Sequence, residues 1–123
     1  MTIRVVLADD SEEIRNMLRM ALEMDGRFEV VGEAANGDEA VVAVKDHQPD
    51  AIFLDLMMPE VGGLEAIPRI RTECPDTKIV VLSVAANHPA AFDARRLGAT
   101  AVIQKGGDRS ADDLAAEVAD LFA

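Results

Sequence analysis

The run Ala51-Ile52-Phe53-Leu54-Asp55-Leu56 is the stretch that decides the fold of this chain. All of its residues are apolar except Asp55, and turn-forming residues stand on both sides, Gln48-Pro49-Asp50 before it and Pro59 after it. A run this short, bounded in this way, favours a strand over a helix. A strand that is apolar throughout, rather than at alternate positions, is typical of a parallel sheet covered on both faces. The sequence therefore predicts a buried parallel strand with a carboxylate near its end.

The same kind of run recurs along the chain, and helical patterns separate the runs. The other predicted strands are Ile3–Ala8, Phe28–Ala34, Lys78–Ser83 and Thr100–Gln104. Each is followed by apolar residues at helical spacing, which gives strand–helix pairs in strict alternation. This pattern predicts one α/β domain over residues 1–123, with a flavodoxin-like, doubly wound, five-stranded parallel sheet of order 2-1-3-4-5 and five helices.

Local signals predict details of the helices. Asp10 and Glu13 have the spacing of a capping box, so Asp10 is predicted to cap the first helix. Met17 falls on the apolar face of that helix, and the methionines as a group are predicted to fill the core. Pro68 lies inside the third helical pattern, so that helix is expected either to start late or to bend.

The charge and the cysteine content exclude some partners and compartments. The chain has 23 acidic and 12 basic residues and a formal net charge of −11. This acidity argues against direct binding to nucleic acid or to an anionic membrane surface, since both favour Lys and Arg. Cys74 is the only cysteine, so no internal disulfide can form, and no apolar run approaches the length of a membrane span. We therefore expect a cytoplasmic domain.

Polar side chains end several of the predicted strands. Ligands of an open α/β sheet bind beyond the carboxyl ends of its strands. Those ends carry carboxylates, a hydroxyl and an ammonium group, from Asp9, Asp10, Asp55, Ser83 and Lys105. Any one of these residues alone is more often a turn residue, a helix cap or a solvated side chain. Their combination at one edge of the sheet predicts a functional site.

A divalent cation suits the three carboxylates of this predicted site. Asp55 lies in an apolar run, where a charged group is costly unless it is paired, and adjacent carboxylates repel one another. Mg²⁺ accepts carboxylate, water and phosphate oxygens, whereas zinc would call for Cys or His. The spacing of a calcium-binding loop is also missing from the sequence. The predicted cofactor is therefore Mg²⁺.

Four segments together resemble the receiver domain of two-component response regulators. They are, in order, Val6-Leu7-Ala8-Asp9-Asp10, Phe53–Pro59, Val80–Ser83, and Gly98-Ala99 with Lys105. The paired Asp, the Asp-x-x-x-Pro stretch and the distal Lys form a specific combination, and the resemblance covers the whole chain. It implies a signalling switch rather than an enzyme with a separate substrate, although the domain would assist its own phosphorylation and dephosphorylation.

The resemblance implies a role for each acidic residue. Asp55 would accept a phosphoryl group from the phosphohistidine of a sensor histidine kinase, from a phosphotransfer protein or from a small phosphodonor. Asp10, Asp55 and the backbone carbonyl of Met57 would bind Mg²⁺ directly. Asp9 would hold the ion through water.

Ser83 and Lys105 would act on the phosphoryl group itself. Ser83 would hydrogen-bond one of its oxygens, and Lys105 would pair first with the carboxylate and then with the phosphoryl group. Phosphoryl transfer depends mainly on positioning and on charge neutralisation, which Mg²⁺ and Lys105 would supply. The new oxygens would pull Ser83 inward and change the surface formed by helix 4, strand 5 and helix 5.

The resemblance also suggests partners. The changed surface would control an output domain or a separate protein, and a phosphorylation-dependent homodimer is compatible with such a switch. Gly63–Arg71 weakly resembles receivers that precede a helix-turn-helix domain, which suggests a C-terminal DNA-binding output domain in a longer protein. Receivers usually have an aromatic residue where this chain has Val102, so the way in which the change reaches the surface stays open.

Two other classes of protein stay open on the residues alone. A haloacid-dehalogenase-like or other aspartyl-phosphate hydrolase would also use Asp55 as a nucleophile, but the sequence has no inserted segment to form a substrate cap. A flavin- or nucleotide-binding domain of the same fold would need a phosphate-binding loop after the first strand. Asp9-Asp10-Ser11-Glu12-Glu13 stands there instead and would repel an anion.

Overall fold

Five parallel strands form a single sheet in the order β2-β1-β3-β4-β5 in the computed structural model, which describes residues 2–58, 60–83, 89–104 and 111–122. The strands are β1 (Ile3–Ala8), β2 (Phe28–Ala34), β3 (Ala51–Asp55), β4 (Lys78–Ser83) and β5 (Ala101–Gln104). The helices are α1 (Glu12–Asp25), α2 (Gly37–His47), α3 (Gly63–Glu73), α4 (Pro89–Leu97) and α5 (Ala111–Asp120). The predicted fold class and strand order are confirmed.

The sheet divides the apolar core into two layers. Successive side chains of a strand point to opposite faces, so Ile52 and Leu54 of β3 pack in the layer under α2, α3 and α4. Ala51 and Phe53 of the same strand pack in the layer under α1 and α5. All four side chains are fully or almost fully buried. Burial on both faces is the physical reason why the central strands are apolar throughout.

The start of α1 differs from the prediction. Ser11, not Asp10, is the N-cap residue, and its Oγ accepts a hydrogen bond from the backbone N–H of Ile14 at 3.2 Å. The carboxylate of Asp9 accepts a hydrogen bond from the backbone N–H of Ser11 at 2.9 Å, which fixes the turn before the helix. The helix therefore begins one residue later than the capping-box spacing indicates. The prediction that Asp10 is the cap is wrong, and its side chain is exposed.

The prediction that the methionines fill the core is also wrong. Among the described residues, Met58 is buried, but four others are mostly exposed: Met17, Met20, Met24 and Met57. On α1 the buried positions are taken by Leu18 and Leu22. The apolar pattern of α1 is wider than the face that the sheet can cover, so Met17 remains on the flank of the helix.

Pro68 lies inside α3, which nevertheless starts at Gly63. Of the two outcomes expected at this proline, the late start therefore does not occur. The hydroxyl of Thr72 donates a hydrogen bond to the carbonyl of Pro68 at 3.0 Å. Ile67 and Ile70 of this helix are fully buried, and their packing against the sheet offsets the hydrogen bond that the proline ring removes.

None of the helices within the described ranges is both long enough and apolar enough to cross a membrane.

Candidate metal centre

Three carboxylates meet at the carboxyl edge of the sheet. β1 and β3 are neighbours, and Ala8 pairs with Leu54, so the residues that follow them come side by side. One carboxylate oxygen from each of Asp9, Asp10 and Asp55 lies within 4.8 Å of the others. Asp9 is 2% exposed and Asp55 is 5% exposed, whereas Asp10 faces solvent. The structure thus brings together the three acidic residues that the sequence placed at one site.

The position of the cluster follows from the topology of the sheet. β1 is flanked by β2 on one side and by β3 on the other, so the strand order reverses next to β1. Connections leave in opposite directions at such a point, and a crevice opens beyond the carboxyl ends of the strands. The acidic cluster lies at this crevice, between β1 and β3.

The backbone after β3 is tightly packed around Asp55. The backbone N–H of Met57 donates a hydrogen bond to Oδ1 of Asp55 at 3.1 Å, while Met57 as a residue is 74% exposed. The N–H of Gly63 donates to the carbonyl of Leu56 at 3.2 Å. A Cβ atom on Gly63 would lie 2.5 Å from the carbonyl oxygen of Asp55 and 2.8 Å from the Cα of Leu56. The start of α3 therefore holds the end of β3 in place.

Ser83 lies at the same edge of the sheet as the acidic cluster. Ser83 is the last residue of β4, one position beyond Leu82, which pairs with Asp55. Its backbone therefore reaches the same edge of the sheet as the acidic cluster. The side chain of Ser83 and the whole of Lys105 lie outside the described residues, so their predicted roles stay predictions.

Asp9 is held by contacts to its backbone as well as to its side chain. Its N–H donates to the carbonyl of Ala34 at 3.0 Å, and its carbonyl accepts from Nη1 of Arg15 at 2.6 Å. Arg15 in turn bonds Glu33 through Nε at 2.8 Å, and Arg19 bonds the other carboxylate oxygen of Glu33. Arg15 is not predictable as part of this site from the sequence, because nothing in the local pattern indicates that Arg15 and Glu33 meet.

The two arginines lower the pKa of the Glu33 carboxyl. Partial burial alone would raise its pKa, but the hydrogen bonds and the charges of Arg19 and Arg15 together outweigh that effect, so the pKa of Glu33 lies below its ordinary value of 4.5. A carboxyl with a lowered pKa in the folded state stabilises the fold above its ordinary pKa. That contribution is lost as the pH falls through the lower, folded-state pKa.

We expect Glu33→Gln to lower the free energy of unfolding at neutral pH, and the difference from the parent to shrink as the pH falls below 4.5. Urea unfolding followed by circular dichroism at a series of pH values measures this difference. Glu29→Gln, an exposed site on the same strand, is the control for the loss of one negative charge. A difference for Glu33→Gln that does not change with pH would contradict the expectation.

A five-stranded parallel sheet of this order, with an acidic cluster at its switch point, defines a receiver domain. Residues 5–118 match the response regulator receiver domain family, so the chain belongs to that family. The predicted resemblance is thereby confirmed. The match runs from β1 into the last turns of α5, so it includes every strand and the whole acidic cluster.

Known relatives agree with this assignment. The chain is 38% identical over 102 residues to the chemotaxis protein CheY of Thermotoga maritima, and the matched region covers 83% of this chain and 84% of CheY. It is 37% identical over 99 residues to the transcriptional regulatory protein YhcZ of Bacillus subtilis, and here the matched region covers 80% of this chain but 46% of YhcZ. The signal receiver domain of the response regulator NarL from Mycobacterium tuberculosis superimposes with a TM-score of 0.87 at 32% identity, covering 98% of this chain and 95% of that one.

The length of the match differs among these relatives. The chain spans most of CheY but less than half of YhcZ and of several other curated relatives. The receiver fold is therefore common to proteins of different overall length, and the activity of a whole protein does not follow from this domain alone.

Proposed function

We propose that this domain is a phosphorylation-activated switch of a two-component phosphorelay and that Asp55 is its phosphoryl acceptor. The observation that carries the proposal is the position of Asp55, buried at the end of the central strand and clustered with Asp9 and Asp10, in a chain of the receiver family. The hydrogen bond from the N–H of Met57 occupies Oδ1 of Asp55 and orients the carboxylate. One oxygen of this carboxylate would act as the nucleophile.

The residues of the cluster fit Mg²⁺. The carboxylates offer only oxygen ligands, which a hard cation prefers, and the clustered negative charge is costly without positive charge nearby. Asp10 and Asp55, with the carbonyl of Met57, would hold the ion directly. Asp9 would hold the ion through water. When bound, Mg²⁺ would supply charge neutralisation for the phosphoryl oxygens.

The proposed reaction transfers a phosphoryl group from a phosphohistidine to Asp55. One carboxylate oxygen of Asp55 forms a bond to phosphorus while the P–N bond of a histidine kinase or phosphotransfer protein breaks, and the imidazole takes up a proton. The product is an acyl phosphate on Asp55. Lys105 would pair with the added negative charge, and Ser83 would donate a hydrogen bond to one phosphoryl oxygen.

The output of the switch is the surface of α4, β5 and α5. Val102 of β5 is partly buried and packs against the core layer under α2, α3 and α4. Arg71 of α3 donates hydrogen bonds to the carbonyl of Gly98 and to the hydroxyl of Thr100, so α3 is tied to the turn before β5. A shift of this turn would therefore reach β5 through the backbone of residues 98–100, without an aromatic side chain at position 102.

The proposed setting is that of a cytoplasmic signalling domain whose own chemistry is limited to its phosphorylation and dephosphorylation. The partners we propose are a sensor histidine kinase or a phosphotransfer protein upstream and an output domain or separate protein downstream. A DNA-binding output domain and a phosphorylation-dependent homodimer are two forms that the downstream step could take. The domain itself would bind neither nucleic acid nor membrane, in keeping with its net charge of −11.

Incubation with acetyl phosphate and Mg²⁺ tests the proposal. We expect intact-mass spectrometry to show a gain of one phosphoryl group per chain, and we expect the gain to disappear when EDTA replaces Mg²⁺. A hydrolase would instead release inorganic phosphate over many turnovers without a stable gain of mass. Absence of any gain with Mg²⁺ present would contradict the proposal.

A further inference from the structure

Arg15 joins the acidic cluster to a part of the fold that the proposed chemistry does not use. Its guanidinium contacts Oε1 of Glu33 through Nε and the carbonyl oxygen of Asp9 through Nη1. Only 15% of the Arg15 side chain is exposed. Glu33 lies in β2 and pairs in register with Leu7 of β1. Arg15 on α1 therefore links β2 to the backbone of Asp9 at the end of β1.

The contact is strong because of its geometry and charge. A planar guanidinium can serve two acceptors in fixed directions at once, which a lysine ammonium on a flexible stem does less well. The carbonyl of Asp9 precedes Asp10, so a shift of this peptide group would move both carboxylates. The N–H of Ser11 holds Oδ1 of Asp9 from the other side.

Arg19 offers an internal comparison. It lies one turn further along α1 and bonds the same carboxylate of Glu33, and it also bonds Glu23. It has no hydrogen bond to Asp9 among the contacts that the described residues make. Arg15 and Arg19 thus share one partner and differ in whether they reach the acidic cluster.

We propose that Arg15 is a positioning residue for the metal site, holding the Asp9 carbonyl so that the carboxylates of Asp9 and Asp10 are preorganised for the cation. This inference rests on the proposed function, because it takes the acidic cluster to be the metal site. Residues that hold metal ligands in place from outside the ligand set typically change metal affinity by 10- to 100-fold when they are replaced.

Metal affinity without phosphorylation tests the inference. Since the chain has no Trp and no Tyr, Mn²⁺ is a better probe than intrinsic fluorescence, with the free ion counted by electron paramagnetic resonance and Mg²⁺ added as competitor. We expect Arg15→Lys, which keeps the charge, to weaken Mn²⁺ binding by about tenfold or more. We expect the matched variant Arg19→Lys to change it by less than about twofold. Circular dichroism of both variants confirms that the folded fraction is unchanged.

Hydrogen exchange gives a second readout that does not depend on metal. The amide of Ser11, which donates to Asp9, should exchange faster in Arg15→Lys than in the parent, whereas the amide of Leu22 on the same helix should not. Equal Mn²⁺ affinity and equal Ser11 exchange in Arg15→Lys and the parent would overturn the inference, as would an equal loss of affinity in Arg19→Lys. Failure of the parent to bind Mn²⁺ would instead overturn the proposed metal site, and the inference with it.

Discussion

Asp55→Asn is expected to abolish phosphoryl incorporation from acetyl phosphate and leave the fold intact. The amide keeps the shape of the carboxylate and an oxygen that can accept the hydrogen bond from the N–H of Met57, but it is a far weaker nucleophile. The variant should stay folded, because the substitution keeps the volume of the side chain and removes one of three mutually repelling carboxylates. Intact-mass spectrometry measures the incorporation, and thermal unfolding followed by circular dichroism measures stability.

Asp50→Asn is the matched control for this variant. Asp50 directly precedes the same strand, and its carboxylate also accepts a hydrogen bond from a backbone N–H, that of Arg4 at 2.8 Å. It lies at the opposite, amino-terminal end of β3, away from the acidic cluster. Phosphorylation of Asp50→Asn should match that of the parent. Incorporation that persists in Asp55→Asn would show that the acceptor is another residue. Incorporation that is lost in a folded Asp50→Asn would show that the loss in Asp55→Asn does not identify the acceptor.

The positions of the strands were predictable because burial imposes their apolar pattern directly, and the strand order was taken from the doubly wound plan that the strand–helix alternation indicates. In a strand covered on both faces, a polar side chain at any position would be buried at a cost in free energy, so Ala51–Leu54 is apolar without alternation. A charged residue within the next few positions then marks the place where the strand reaches solvent or a ligand. This is why Asp9, Asp10 and Asp55 could be assigned to one site before their distances were known.

Details that depend on competition between neighbouring side chains were not predictable in this way. Asp10 and Ser11 are both good helix caps, and in the structure Ser11 is the cap, with its own N–H bonded to the carboxylate of Asp9. Met17 and Leu18 both belong to a helical apolar pattern, but the sheet covers Leu18 alone. The capping spacing and the apolar pattern each allowed two outcomes, and the tertiary packing selected one.

Contacts that join distant segments had no signal in the sequence. The pairing of Arg15 with Glu33 requires the register in which Leu7 faces Glu33, and a shift of one residue would point Glu33 to the other face of the sheet. The close approach of Gly63 to Asp55 likewise depends on where α3 meets the end of β3. In a single sequence Gly63 is only one of several turn residues in its loop.

Gly63→Ala is expected to destabilise the domain, although helix propensity alone predicts the opposite sign. Gly63 is the first residue of α3, and alanine favours a helix over glycine by about 1 kcal/mol. The added methyl group, however, would lie 2.5 Å from the carbonyl oxygen of Asp55 and 2.8 Å from the Cα of Leu56. Both are backbone atoms, so they cannot move aside as a flexible side chain could. Overpacking of this kind costs about 1–3 kcal/mol, which outweighs the gain in propensity.

Urea unfolding of Gly63→Ala, with Gly62→Ala as the control, measures the balance between these two effects. A methyl group on Gly62 would meet the carbonyl oxygen of Leu56 at 3.3 Å, which needs a shift of only a few tenths of an ångström, so this variant should lose less than about 1 kcal/mol. Because the clash in Gly63→Ala falls on the peptide group of Asp55, that variant should also bind Mn²⁺ more weakly than Gly62→Ala. If Gly63→Ala were as stable as the parent, α3 could move away from β3, and the end of the strand that carries Asp55 would not be held by the start of that helix.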